Sequence, residues 1–247
     1  MTSFLGVPVD AVYHLVSGLT GVLTPVLGGV AAVAAIIVFT VAVRAVLMPL
    51  SFRAMRGQAV QARLAPQLQA LQKRYAKQPE RLQREMTTLY KREGTSLFAG
   101  ITPLLLQWPL LSVVYILFRS PHVAGKPNLL LSHDLLGVPL GMHWLSGADA
   151  ASPQGLVFVG VFALLVGLCW LSARLGRLMT AQATAAPAPG GAGVLVKVLP
   201  YLTVVIAAFA PLAAGVYLVA STAWSLAERA FFWRSRARAG GQEVVKA

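Results

Sequence analysis

Three stretches of this chain, residues 94–118, 150–173 and 198–227, contain no Asp, Glu, Lys or Arg, and a fourth apolar run, Val30 to Val43, leads directly into Arg44. Hydrocarbon offers no water to the backbone, so each N–H and C=O must be paired within its own segment, and runs of this kind become helices. About 20 residues, rising 1.5 Å each, cross a hydrocarbon layer. Only 12% of the 247 residues are charged and 57% are hydrophobic, where a soluble domain carries about 25% charged residues. The sequence therefore predicts an all-α polytopic membrane protein.

Taken in order, residues 1–28 form an outer segment. Within it Val9, Val12, Tyr13, Val16, Leu19 and Leu23 recur at helical spacing behind Asp10, which stands in an N-cap position. This reads as an amphipathic helix lying at the membrane surface, the alternative being a disordered tail. Residues 1–25 hold no Lys or Arg, so no cleavable signal peptide is expected. Transmembrane helix 1 spans 29–50 and is followed at once by Arg53 and Arg56. Residues 51–96 change character and carry ten Lys and Arg. Leu64, Leu68, Leu71 and Tyr75, then Leu82, Met86 and Leu89, trace two amphipathic helices folded back as a cytoplasmic hairpin. Pro79 suits the first turn of the second, whereas Pro66 should bend the first or delay its start. The hairpin is either a partner site or a solvated loop.

Transmembrane helix 2 spans 97–118, and residues 119–153 form an outer loop with Trp144 at the interface. Transmembrane helix 3 spans 154–173, closed by Arg174 and Arg177, and residues 174–193 are a cytoplasmic linker of low complexity. The stretch Val194–Glu228 is too long for one crossing, and Pro211 lies midway. It divides into transmembrane helix 4 (194–210) and transmembrane helix 5 (212–233), before a basic cytoplasmic tail (234–247). Lys and Arg number ten in 51–96, three in 174–197 and five from 228 onward, against two in 119–153 and none before Arg44. The positive-inside rule then puts the N-terminus outside and the hairpin, linker and tail in the cytoplasm, an alternation that five spans satisfy. The net charge of +13 reflects these loops beside anionic lipid, not a specific nucleic-acid partner.

The sequence holds no GxxxxGK[ST], no HExxH and no Cys/His cluster. Cys169 is the single cysteine, and His122, His133 and His143 share the outer loop with Asp134, where solvated histidines are the commoner outcome. Neither an enzyme nor a cofactor nor a bound metal is expected. Arg44 is read as the only charge well within a span. An intramembrane arginine costs a few kcal/mol or more and marks a site by default. Two readings are open: it snorkels to head groups about 9 Å away, or it projects into a wet cavity. Thr40 lies one turn earlier on the same face, and Thr102, Gln107, Tyr217, Ser221 and Thr222 could complete a polar lining, though taken singly each is more often an interhelical hydrogen bond.

The order of these features resembles the YidC-type membrane protein insertases, with their mitochondrial oxidase-assembly and chloroplast thylakoid relatives. The resemblance covers roughly residues 8–234. It rests on Arg44-x-x-x-x-Pro49-Leu50, the basic hairpin with Pro66 and Lys73-Arg-Tyr75, Pro103-Leu-Leu-Leu-Gln107-Trp-Pro109-Leu, and Pro211-x-x-x-x-x-Tyr217-x-x-x-Ser221. Leu218 stands where some members have a second aromatic, and Ser96-Leu97 where a typical member has Asn-Pro. The short N-terminus is similar to that of Gram-positive members, and the short tail implies no long ribosome-docking extension.

The resemblance implies five helices around a hydrophilic groove open to the cytoplasm and closed outside, in a bacterial plasma membrane. Arg44 would be the groove arginine, Thr40 a substrate contact, and the last-span contacts would fall around Tyr217. It implies a membrane protein insertase and chaperone whose partners are nascent membrane proteins and the lipid bilayer, with the ribosome and the Sec translocon as further partners. The alternatives are a small transporter or channel with a polar path near Arg44, or a scaffold acting through the hairpin. Against transport stand the lack of an internal repeat and the expectation that no acidic residue sits in a span.

Overall fold

The structure, a computed structural model, describes residues 6–94, 102–123, 125–146, 152–180 and 201–245. Helices dominate: α1 (Gly6–Leu27), α2 (Ala31–Arg74), α3 (Pro79–Arg92), α4 (Thr102–Arg119), α5 (Pro153–Thr180), α6 (Leu202–Phe209) and α7 (Leu212–Val245). Among the described residues, two helical segments qualify as membrane crossings by length and hydropathy, Val7–Val60, which joins α1 to α2, and Pro153–Gly176 within α5. The protein is thus a mostly helical membrane protein.

α2 differs from the expectation of a crossing followed by a separate hairpin helix. It runs 44 residues through both Pro49 and Pro66, a length of about 66 Å, twice the hydrocarbon thickness. A helical proline removes one backbone bond and crowds the carbonyl four residues earlier. Packing outweighs that loss here. Ser51, Ala54 and Leu64 are buried, and the Phe52 ring lies 6.1 Å from both Phe231 and Phe232 of α7. The first arm of the hairpin is therefore the continuation of α2. Pro79 opens α3, the second arm.

α1 also departs from expectation. It begins at Gly6, so Asp10 sits in the second turn and meets His14 one turn on, Oδ1 to Nε2 3.4 Å, rather than capping the helix. Val9, Val16 and Thr20 are buried, yet its free face shows Val7, Leu15, Val22 and Val26. That face is largely apolar but also carries the exposed His14 side chain. Thr20 and Thr24 hide their hydroxyls by donating to the carbonyls of Val16 and Thr20 at 2.8 and 2.7 Å.

Pairwise contacts fix the directions of the long helices. Arg44 meets Ser221 and Phe52 meets Phe231, so α2 and α7 run parallel. Gly215 lies against Val161, and Arg229 donates to Ser172, so α5 runs the same way. Their starting ends are gathered under residues 120–146, which carry two small hairpins, β1 (His122–Val123) with β2 (Lys126–Pro127) and β3 (Asp134–Leu135) with β4 (Val138–Pro139). The second turns at Leu136 and Gly137, both at positive φ (53° and 81°), which suits the twist of a tight hairpin.

This loop is fastened by polar groups. Leu212 and Ala213 N–H donate to the carbonyls of Met142 and Leu140 at 2.9 and 3.0 Å, satisfying donors that the start of α7 leaves open. Asn128, buried, donates through Nδ2 to Leu117 and Ser120 carbonyls at 2.7 and 3.1 Å and accepts from Leu130 N–H at 3.2 Å. Trp144 packs edge-on to Phe158 and Phe162 of α5.

α6 ends at Phe209, the chain turns at Ala210 and Pro211, and α7 starts at Leu212. α7 continues as helix into the stretch read as the tail. Most of the 174–193 linker and the first part of the 194–210 segment fall outside the described residues.

Candidate functional site

On α2, Arg44, Ser51, Met55 and Gln58 follow at intervals of seven, four and three residues; on α7, Ser221, Ser225 and Glu228 follow at four and three. Such spacings keep side chains on one helix face. Because the two helices run parallel and these faces meet, they border a small open recess lined by Arg44, Ser51, Ala54, Met55, Gln58, Ser225, Glu228 and Arg229. It lies along the part of α2 and α7 that points away from the hairpins of residues 125–146.

Arg44 closes the deep end. It is only 7% exposed, and its Nη2 donates to Ser221 Oγ. The fully buried Tyr217 sits one turn before Ser221, its phenol within interacting reach of both Arg44 and Ser221. The guanidinium is thus held by α7 at the recess. Of the expected residues, Arg44, Tyr217 and Ser221 come together. Thr40 is fully buried one turn above Arg44 and donates its hydroxyl to Ile36 C=O at 2.7 Å, so it packs above the recess rather than lining it. Thr102 and Gln107 belong to α4, but their side chains fall outside the described residues.

The sequence reading missed Glu228. It is 7% exposed and accepts from Trp224 Nε1 at 2.8 Å and from the Ser51 hydroxyl, while the Arg44 charge acts on it from deeper in the recess. Arg229 beside it lines the recess and donates through Nη1 to Ser172 Oγ of α5 at 3.4 Å. Arg44 is therefore not the only charge within the expected spans, and the expectation that no acid sits in one is corrected, since Glu228 falls inside 212–233. Clustering has a physical reason, because desolvated charges are tolerated when opposite charges and hydrogen bonds surround them. The signal was present in the sequence: Ser51 is seven residues from Arg44 and Glu228 seven from Ser221, two turns on the same face in each case. Among the described residues, no three or more His, Cys, Asp or Glu gather as metal ligands would.

Residues 22–239 match the sequence model of the 60Kd inner membrane protein family. The chain belongs to that family. Relatives include the membrane protein insertase YidC of Granulibacter bethesdensis, 33% identical over 163 residues, covering 64% of this chain and 26% of that protein. The YidC of Clostridium tetani is 34% identical over 114 residues, 46% of this chain and 52% of the relative. That of Zymomonas mobilis is 30% identical over 204 residues, 78% of this chain and 33% of the relative. The chain thus spans from about a quarter to about half the length of these curated relatives.

Proposed function

We propose that this chain is a membrane protein insertase that accepts nascent membrane proteins in its polar recess and releases their hydrophobic segments into lipid. The observation that carries the reading is Arg44, a buried cation at the closed end of a recess between two parallel apolar helices, in a chain whose relatives are named insertases. A polar tail entering the recess has less hydrocarbon left to cross. A carboxylate about 4 Å from Arg44 gains about 4 kcal/mol at an effective dielectric of 20, before its own desolvation is subtracted. The substrate's apolar segment then moves into lipid, at about 25 cal/mol per Å² of apolar surface. The chemistry calls for no nucleotide or cofactor and breaks no covalent bond.

Five crossings accommodate the parallel run of α2, α5 and α7, with return crossings through α4 and the segment ending in α6. In this arrangement the N-terminus and residues 119–153 face outward, and the hairpin, linker and tail face the cytoplasm of a bacterial cell. The hydrogen bonds that fasten the loop over the start of α7 support an outer closure. The basic arms of α2 and α3 are where the ribosome, the Sec translocon and the emerging substrate would first meet the protein. Insertion is tested by proteoliposomes holding only this chain and a single-span protein with an acidic N-terminal tail. Protection of the tail from external protease supports the reading, and complete digestion refutes autonomous insertion.

A second reading, a small transporter or channel, draws on Glu228, which gives the recess both signs of charge. Ion flux through the same proteoliposomes without any substrate would favour it.

A further inference from the structure

The recess carries its charges in a fixed order. Arg44 faces Ser221 at the deep end; nearer the mouth Ser51 faces Glu228, with the resident cation Arg229 beside it, so an added cation would share that carboxylate with Arg229. On either helix the two levels are seven residues apart, two turns, or about 10 Å along the axis. Glu228 is as buried as Arg44. A carboxylate has room for about four hydrogen bonds, and Trp224 and Ser51 supply two. A buried carboxylate with acceptor capacity to spare, on the wall of an open recess, is suited to a cation brought from outside.

We infer that Glu228 sets the charge selectivity of the recess: it takes a Lys or Arg side chain of the same substrate segment whose acidic side chain pairs with Arg44. The assignment rests on the insertase reading only for where that segment comes from. An extended chain advances about 3.3 Å per residue, so the two side chains stand about three residues apart, the basic one toward the mouth. The substrate class is a tail of mixed charge with that spacing, not simply an acidic one.

Glu228→Gln isolates the charge, since a glutamine Oε1 still accepts from Trp224 and leaves the packing of α7 in place. The probes are fluorescent peptides carrying Glu and, three residues away on either side, Lys or Gln. Their binding to the full chain in lipid nanodiscs is read by anisotropy. The wild type should prefer a Glu–Lys peptide over its Glu–Gln partner by roughly tenfold, the range of a charge-assisted hydrogen bond. Glu228→Gln should bring that ratio near one, and Glu228→Lys should invert it. A wild type without the preference, an unchanged ratio in Glu228→Gln, or binding of neither peptide would each overturn the assignment.

Protease protection of single-span substrates bearing the same tails separates this inference from the insertase reading. Preference in binding without insertion would keep Glu228's role and sink the insertase. Insertion indifferent to the basic residue would do the reverse.

Discussion

Gly215 offers a prediction that can be worked through from one contact. A Cβ built on it would lie 3.2 Å from Val161 Cγ1 of α5. Carbon atoms rest at about 3.5–4.0 Å, so alanine already asks α5 and α7 to part by roughly half an ångström, and valine brings two further carbons into the same place. Overpacking of this kind costs about 1–3 kcal/mol. The start of α7 is held by hydrogen bonds to Leu140 and Met142, so the displacement passes down the helix toward Ser221, six residues or about 9 Å away. Gly215→Val should therefore lower thermal stability in detergent, followed by circular dichroism, and loosen the Arg44–Ser221 contact. Val161→Ala removes the opposing methyl groups. In that background Gly215→Val should lose much of its penalty, a coupling of about 0.5–3 kcal/mol. A Gly215→Val protein as stable as wild type, or a penalty unchanged by Val161→Ala, would refute the close packing of α5 on α7.

Two further outcomes follow from particular contacts. Asn128→Ala strands the Leu117 carbonyl and the Leu130 N–H in a buried place, at about 1–3 kcal/mol for each unmet group; hydrogen exchange of amides in residues 128–146 should quicken while that of α2 stays slow. Pro66→Ala should stabilise rather than weaken the chain, because α2 is already continuous there and alanine restores a missing backbone bond and removes a clash. The measurement is slower amide exchange around residue 66 and a raised melting temperature, and a lowered one would mean that the proline shapes a bend that α2 needs.

The mostly helical membrane character and part of the recess were legible because their signals are local. Arg44 stands out in an apolar run, and Tyr217 and Ser221 share a helix face one turn apart. Pro211 marks a turn by its fixed φ and missing N–H. Glu228 escaped notice because, at the end of an uncharged stretch and next to Arg229, it reads as an interfacial charge; only α2, about 180 residues earlier in sequence, turns its position into a recess wall. The continuity of α2 was hidden for the converse reason. Pro66 signals a break locally, and the burial that overrides it depends on partners far along the chain. Asp10 looked like a cap because its side chain favours that role, yet the helix had already begun a turn earlier, at Gly6.

The most direct test of the account compares Arg44→Ala and Arg44→Lys with wild type in proteoliposomes, using two single-span substrates that differ only in whether the translocated tail is acidic or neutral. If a cation at the deep end of the recess draws the tail in, Arg44→Ala should slow insertion of the acidic tail by roughly ten- to a hundredfold, the span of a hydrogen bond to a charged group. It should leave the neutral tail less affected, and Arg44→Lys should retain much of the wild-type rate. Equal insertion of both tails by wild type and Arg44→Ala would contradict the account and leave Arg44 as a helix-packing residue bound to Ser221.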